Sequence, residues 1–209
     1  MTAFITRCSP RPPPERPERD WLATGLRICL ALALCLYLAL ARAGSIEPMK
    51  AALLPTDEGY ALSAEFAIDL GPRIEEALSH GIALYFNLEL ELNRPRKYWL
   101  DEHIGGHSLT YRLSYNPLMR QYRLSTGPLQ QTNFPTLEQA LRALGRIAAL
   151  PVLEKGRLKT GETYQASLRL ALDRSLLPKP FQLDALASRD WQVDAKVLHW
   201  QFQAAEAGK

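Results

Sequence analysis

The sequence predicts a mainly β protein, an antiparallel β-sandwich of immunoglobulin-like type carrying two short helices. Three observations lead there. Apolar and polar residues alternate over most of the chain after residue 43, turn residues separate the alternating runs, and only two stretches change to helical spacing. The alternative reading of the same pattern is an open antiparallel sheet packed by the two helices.

Residues 1–43 are set apart. Arg7, Arg11, Arg16, Arg19 and Arg27 lie among prolines, and Ile28 to Ala41 then runs without a charge. This is the order of a basic n-region and an apolar h-region, and Ala41-Arg42-Ala43 supplies small residues at the positions that signal peptidase reads. A spanning helix needs about 20 apolar residues, a length reached here only by including Gly25 and Arg27. Residues 1–43 are therefore expected to be a signal peptide cleaved before Gly44, with an uncleaved anchor as the alternative. Residues 44–209 are expected to form a single periplasmic β-rich domain that meets the inner membrane only through the signal or anchor.

Six of the 25 basic residues and three of the 22 acids precede Gly44, leaving 19 of each after it. The net charge of +3 thus belongs to the targeting segment, and together with export this argues against nucleic acid as a partner. Cys8, Cys29 and Cys35 also precede Gly44, so the domain has no thiol for a disulfide, a metal or nucleophilic catalysis, and its stability must come from an apolar core.

Along the domain, Ile46 to Leu54 reads as a first strand and Tyr60-Leu62-Ala64-Phe66-Ile68 as a second. Pro72 to His80 reads as a helix, with Pro at its first position, Ile74, Ala77 and Leu78 on one face and Gly81 as the stop. His80 falls at its C-terminus, where capping explains it. The clearest alternation is Ile82, Leu84, Phe86, Leu88, Leu90 and Leu92 against Ala83, Tyr85, Asn87, Glu89, Glu91 and Asn93. Leu109-Tyr111-Leu113-Tyr115 and Tyr122 to Thr126 follow as strands around the turn Asn116-Pro117-Leu118-Met119-Arg120. Thr136 to Leu150 reads as the second helix, with Thr136 and Gln139 as a capping pair. Tyr164 to Leu172 is a strand, and Trp191-Val193-Ala195-Val197 changes phase to Leu198-Trp200-Phe202, which predicts a β-bulge near Val197.

Candidate chemistry is sparse. Asp101-Glu102-His103 with His107 is the densest set of metal-ligand types, but Gly105-Gly106 breaks the helix that would align the two histidines, and a polar loop is the reading. Gly105-Gly106-His107-Ser108 resembles an oxyanion loop, yet no nucleophile elbow accompanies it. No phosphate loop or dinucleotide fingerprint is present. The acid pairs Glu75-Glu76 and Glu89 with Glu91 read as solvated faces. The expectation is a non-enzymatic protein without cofactor or metal. Its candidate partner-binding residues are Tyr98, Trp99, Tyr115, Arg120 and Tyr122, since Trp, Tyr and Arg carry interface energy out of proportion to their number.

Three blocks carry a family resemblance: Arg94-Pro95-Arg96-Lys97-Tyr98-Trp99-Leu100-Asp101-Glu102; Leu113 to Ser125; and Leu177-Pro178-Lys179-Pro180-Phe181-Gln182 with Asp190-Trp191. They resemble the proteobacterial domain of unknown function 4390 family, the proline-rich signal peptide proteins. The resemblance implies export and a genetic neighbourhood with a membrane sensor kinase of nitrogen-regulation type. It implies no activity and no catalytic residue. The function expected is an interaction module acting on a membrane partner such as that kinase or another envelope protein; the alternative is a binding module for a small or lipidic envelope ligand.

From Ala41-Arg42-Ala43, N-terminal sequencing of the purified native protein should begin at Gly44 in the soluble periplasmic fraction. An intact Met1 end in the membrane fraction establishes the anchor instead.

Overall fold

A computed structural model describes residues 28, 44–96, 98, 100–127, 130–182, 191 and 193–205. The expected signal or anchor, residues 1–43, lies outside them apart from Ile28. Among the described residues, no helix is long and apolar enough to cross a membrane. The chain divides into two units, Met1–Ala41 and Arg42–Lys209, and the strands among the described residues belong to the second.

Alternation becomes two sheets. In chain order the elements are β1 (Gly44–Thr56), β2 (Gly59–Asp69), α1 (Pro72–Ser79), β3 (Leu84–Arg94), β4 (Glu102–Asn116), β5 (Gln121–Thr126), β6 (Gln130–Phe134), α2 (Leu137–Gly145), β7 (Arg146–Glu154), β8 (Thr163–Leu172), a short 3-10 turn (Arg174–Leu176), β9 (Val193–Ala195) and β10 (Leu198–Gln203). The smaller sheet has the order β7-β2-β1-β9 and the larger the order β10-β8-β3-β4-β5-β6. All pairs are antiparallel except β1 with β9, which runs parallel through Gly44 to Ile46. This order defines the sandwich more closely than the immunoglobulin comparison does.

The core lies between the sheets. β3 sends Leu84, Phe86, Leu88, Leu90 and Leu92 inward, none more than 2% exposed, and Leu168 and Leu170 of β8 join them. From the facing sheet come Ile46, Leu62, Ala64 and Phe66. The helices complete the cover. α1 contributes buried Ile74, Ala77 and Leu78, and α2 contributes Ala140 and Leu144. α1 contacts β4, while α2 contacts β2, β5, β6 and β7. The protein is thus a sandwich over β8 and β3 and a helix-packed sheet towards β6.

Both helix starts follow the sequence. Pro72 opens α1, whose C-cap is His80, its backbone N–H donating to Glu76 O at 3.1 Å. The Thr136 hydroxyl accepts from Gln139 N at 3.3 Å. α2, however, stops at Gly145, and Ile147 and Ala148 lie on β7 instead of extending the helix to Leu150. Packing decides this: a Cβ on Gly145 would lie 2.5 Å from Phe66 O, so the chain passes flush against β2 and continues as its neighbour.

Three further expectations are corrected. The change of phase near Val197 is a crossing between sheets, β9 pairing with β1 and β10 with β8, so no bulge is needed. Residues 102 to 108 are the first half of β4, not a loop. Leu172, which the alternation of Tyr164 to Leu172 places on the inward face with Leu168 and Leu170, is only half-buried at the end of β8. The polar edge strand β6 was not foreseen at all.

Truncating Leu88, Leu168 or Leu170 to Ala should lower unfolding free energy by about 2–5 kcal/mol, against about 0.5 kcal/mol for Glu89→Ala or Arg169→Ala. Urea unfolding measures this; equal losses on the two faces contradict the register Leu88↔Leu170 and Glu89↔Arg169.

Candidate functional site

The four described residues of the five expected to bind a partner, Tyr98, Tyr115, Arg120 and Tyr122, fall into two groups, held apart by β4. That strand has 15 residues, and at a rise of about 3.4 Å per residue it spans roughly 45–50 Å. Tyr98 lies in the loop before it; Tyr115 is its last residue but one, and Arg120 and Tyr122 follow. One continuous surface joining Tyr98 to Tyr115, Arg120 and Tyr122 is therefore corrected to two separate ends. Trp99 lies outside the described residues.

At the loop end, Tyr98 is 91% exposed and Leu100 93%. The cations beside them are engaged. Arg94 reaches Glu162 at 2.9 Å and also pairs with Glu102, which Arg96 meets at 2.7 Å. The Arg96 backbone N–H donates to Asp101 Oδ1 at 3.4 Å, so Asp101 and Glu102 close the β3–β4 loop. Behind them the Tyr164 hydroxyl donates to Glu162 at 3.3 Å and accepts from Lys159 N at 2.9 Å. Tyr164, Tyr60 and Ala204 form a small second core, with Phe202 packed on both rings. Hydrogen bonds from Arg96 and then Arg94 hold the Glu102 carboxyl below its ordinary value of 4.5, and Arg94 does the same for Glu162.

At the turn end, Asn116 Oδ1 accepts from Leu118 N at 3.0 Å and Met119 N at 3.3 Å, an arrangement that fixes the turn. Arg120 has φ 52°, in the left-handed region, and its side chain is exposed. The turn thrusts out Leu118, 95% exposed, and Met119, 62%. Beneath it the Tyr115 and Tyr122 rings meet at 4.8 Å between centroids, tilted by 44° and packed on the core. Burial first, then the Tyr115 and Glu75 side chains, push the Tyr122 hydroxyl above its ordinary value. The two tyrosines support the tip from the inner face.

The histidine pair is separated by a bulge. Leu92 pairs with Gly105 but Asn93 with His103, leaving Ile104 as the extra residue. His103 faces outward with Nδ1 3.2 Å from Asn93 Oδ1. His107, opposite Leu90, faces inward, and its Nε2 is buried without a hydrogen-bond partner. The two imidazoles cannot converge on one ion. Gly106 is needed for backbone approach, since a Cβ there would lie 2.8 Å from Leu90 O.

His107 also borders a cleft of about 670 Å³ between the Thr56–Glu58 turn and β7. Sequence reasoning missed it because its walls come from three distant segments, 56–61, 107 and 149–154. The one signal was a histidine among apolar inward positions of β4.

A family model described as Domain of unknown function (DUF4390) matches residues 43–201. The chain belongs to this family. The match spans both sheets, both ends of β4 and the cleft, from β1 into β10. No curated protein and no solved structure matches the chain. The family description carries no activity, so residue roles rest on the geometry above.

The ion network makes a pH-dependent prediction. A carboxylate held low in the folded chain adds its stability in full above the ordinary value of 4.5 and loses it as pH falls through the folded value. The melting temperature of Arg94→Met should lie below wild type near neutral pH, and the gap should narrow between about pH 5 and about pH 3. A gap that stays constant shows that the network does not couple to protons.

Proposed function

We propose that this member of the family is an exported, non-enzymatic interaction module that acts in the periplasm on a membrane partner. Export rests on the order of residues 1–43, and a sensor kinase as the class of partner rests on the family resemblance. The observation that carries the reading is the turn after β4. Leu118 stands almost fully in solvent and Met119 more than half so, on a backbone pinned by Asn116, with Arg120 beside them. Large apolar side chains on a fixed turn gain area on contact without the entropy cost of ordering a loose loop. Glu102 and Glu162 are matched by arginines, and His103 and His107 face opposite ways.

A second reading, a binding module for a small or lipidic envelope ligand, is favoured by the cleft at His107, whose volume of about 670 Å³ falls within the range of small-molecule sites.

For the first reading, a photo-crosslinking residue at Met119 should capture one envelope protein in cells, and Arg120→Asn should weaken capture with little change in melting temperature. Asn is the suitable replacement because it tolerates the left-handed conformation. Capture that is unaffected by Arg120→Asn, or absent at Met119 but present at Tyr98, moves the site away from the turn.

A further inference from the structure

The edge of a sheet is a template for another strand, and folded chains block it with charge, proline, irregular register, short length or cover. The described residues have four edge strands, β7 and β9 in the smaller sheet and β10 and β6 in the larger. Three are blocked. β7 carries Pro151 and two register shifts. β9 is three residues long with Asp194 at its centre. β10 lies against β1, and the Tyr60 hydroxyl donates to Ala205 O just beyond its end at 2.7 Å. β6 has none of these devices. Gln130 to Phe134 contains no charge and no proline, and it pairs with β5 from Tyr122↔Phe134 to Thr126↔Gln130 without a register shift. Gln130, Gln131, Thr132 and Asn133 are exposed, and α2, which contacts the strand, leaves them so. Its five residues make a strand of ordinary length.

The side chains are the second observation. In an antiparallel pair turned about Thr132, that residue meets its own copy, Gln131 meets Asn133 and Gln130 meets Phe134. Threonines hydrogen-bond across strands and amide side chains can both give and accept, while like charges, which oppose self-pairing, are absent from the strand. The charges on its two neighbours are engaged within the chain: Arg142 pairs with Glu138 on α2, and Arg123 Nε of β5 donates to Asn133 Oδ1 at 3.2 Å. We infer that β6 pairs antiparallel with β6 of a second copy of this chain, about a two-fold axis through Thr132, joining the two larger sheets edge to edge. A partner of different sequence is selected by complementary charge, which this strand lacks; a symmetric pair needs only its own sequence. A pairing of five residues buries less than a standard interface, so the dimer forms only as concentration rises.

Sedimentation velocity of the purified native protein over a concentration series should show monomer passing to dimer, and hydrogen exchange at the β6 backbone should slow over the same range. Thr132→Lys and Thr132→Glu each set like charges across the two-fold at an exposed position, so each variant should stay monomeric with the wild-type melting temperature. Mixed in equal amounts the two should dimerise, because Lys then faces Glu, and this rescue shows that both variants are folded. A wild type that is monomeric at every concentration, or a mixture that fails to dimerise, overturns the inference. So does a dimer that both variants still form alone, or one that leaves exchange at β6 unchanged. A photo-crosslinking residue at Gln131 that captures in cells a protein other than this chain gives the edge to that partner and overturns self-pairing.

Discussion

β3 is hydrogen-bonded to β4 along one edge and β8 along the other, and its inner face carries Leu84, Phe86, Leu88, Leu90 and Leu92 into the core. Burying a side chain of this size is worth about 1.5–3 kcal/mol. Its outer face carries Tyr85, Asn87, Glu89, Glu91 and Asn93. A slip of one residue exchanges the two sets and takes two carboxylates out of water, so register is fixed over the whole strand. The neighbours inherit it: Leu88 sets Leu109 and Leu170, and Leu90 sets His107 and Leu168. The inward direction of His107 follows from the alternation of a different strand.

That dependence separates what the sequence revealed from what it hid. Strands whose faces differ sharply, such as β3 and β8, announce themselves by period. The N-terminal limits of the helices are local chemistry too, since Pro72 and Thr136 act on their own turns. The end of α2 is not local. Ile147 and Ala148 suit a helical stripe as well as a strand, and the contact of Gly145 with Phe66 O, across some 80 residues of chain, makes the choice. β6 is all but exposed, so Gln130 to Asn133 has no buried face to produce a pattern. The phase change at Val197 was visible, but two sheets had to be known before it could be read as a crossing.

The candidate site was legible in its residue types and not in its geometry. Arg94, Arg96, Asp101 and Glu102 crowd one stretch of chain because they close one loop, and their charge is used within it. Tyr115 and Tyr122 are paired across the strands by register, with rings towards the core, so they give the Leu118–Met119 tip its support and not its contact surface. Composition alone put both groups on one surface; the length of β4 places them at opposite ends. The bulge at Ile104 has the same character, because an extra residue between His103 and His107 changes which face each occupies without altering their spacing in sequence.

β7 joins these points to the cleft. Among the described residues it pairs only with β2, which leaves its other edge unpaired there, and such an edge invites pairing with further strands unless its regularity is broken. Two register shifts break it, one opposite Ser63 and one between Tyr60 and Ala61, and Pro151 removes a donor. Ala149, at φ 49°, sits in the first of these irregularities, a conformation that is uncommon for a residue bearing a Cβ. The segment so distorted, Ala149 to Glu154, is the wall of the cleft opposite the Thr56–Glu58 turn. A regular strand here would leave the edge open to intermolecular pairing. The irregular one guards the edge and at the same time leaves the recess that His107 lines, so protection against association and the shape of the cleft have a common structural origin.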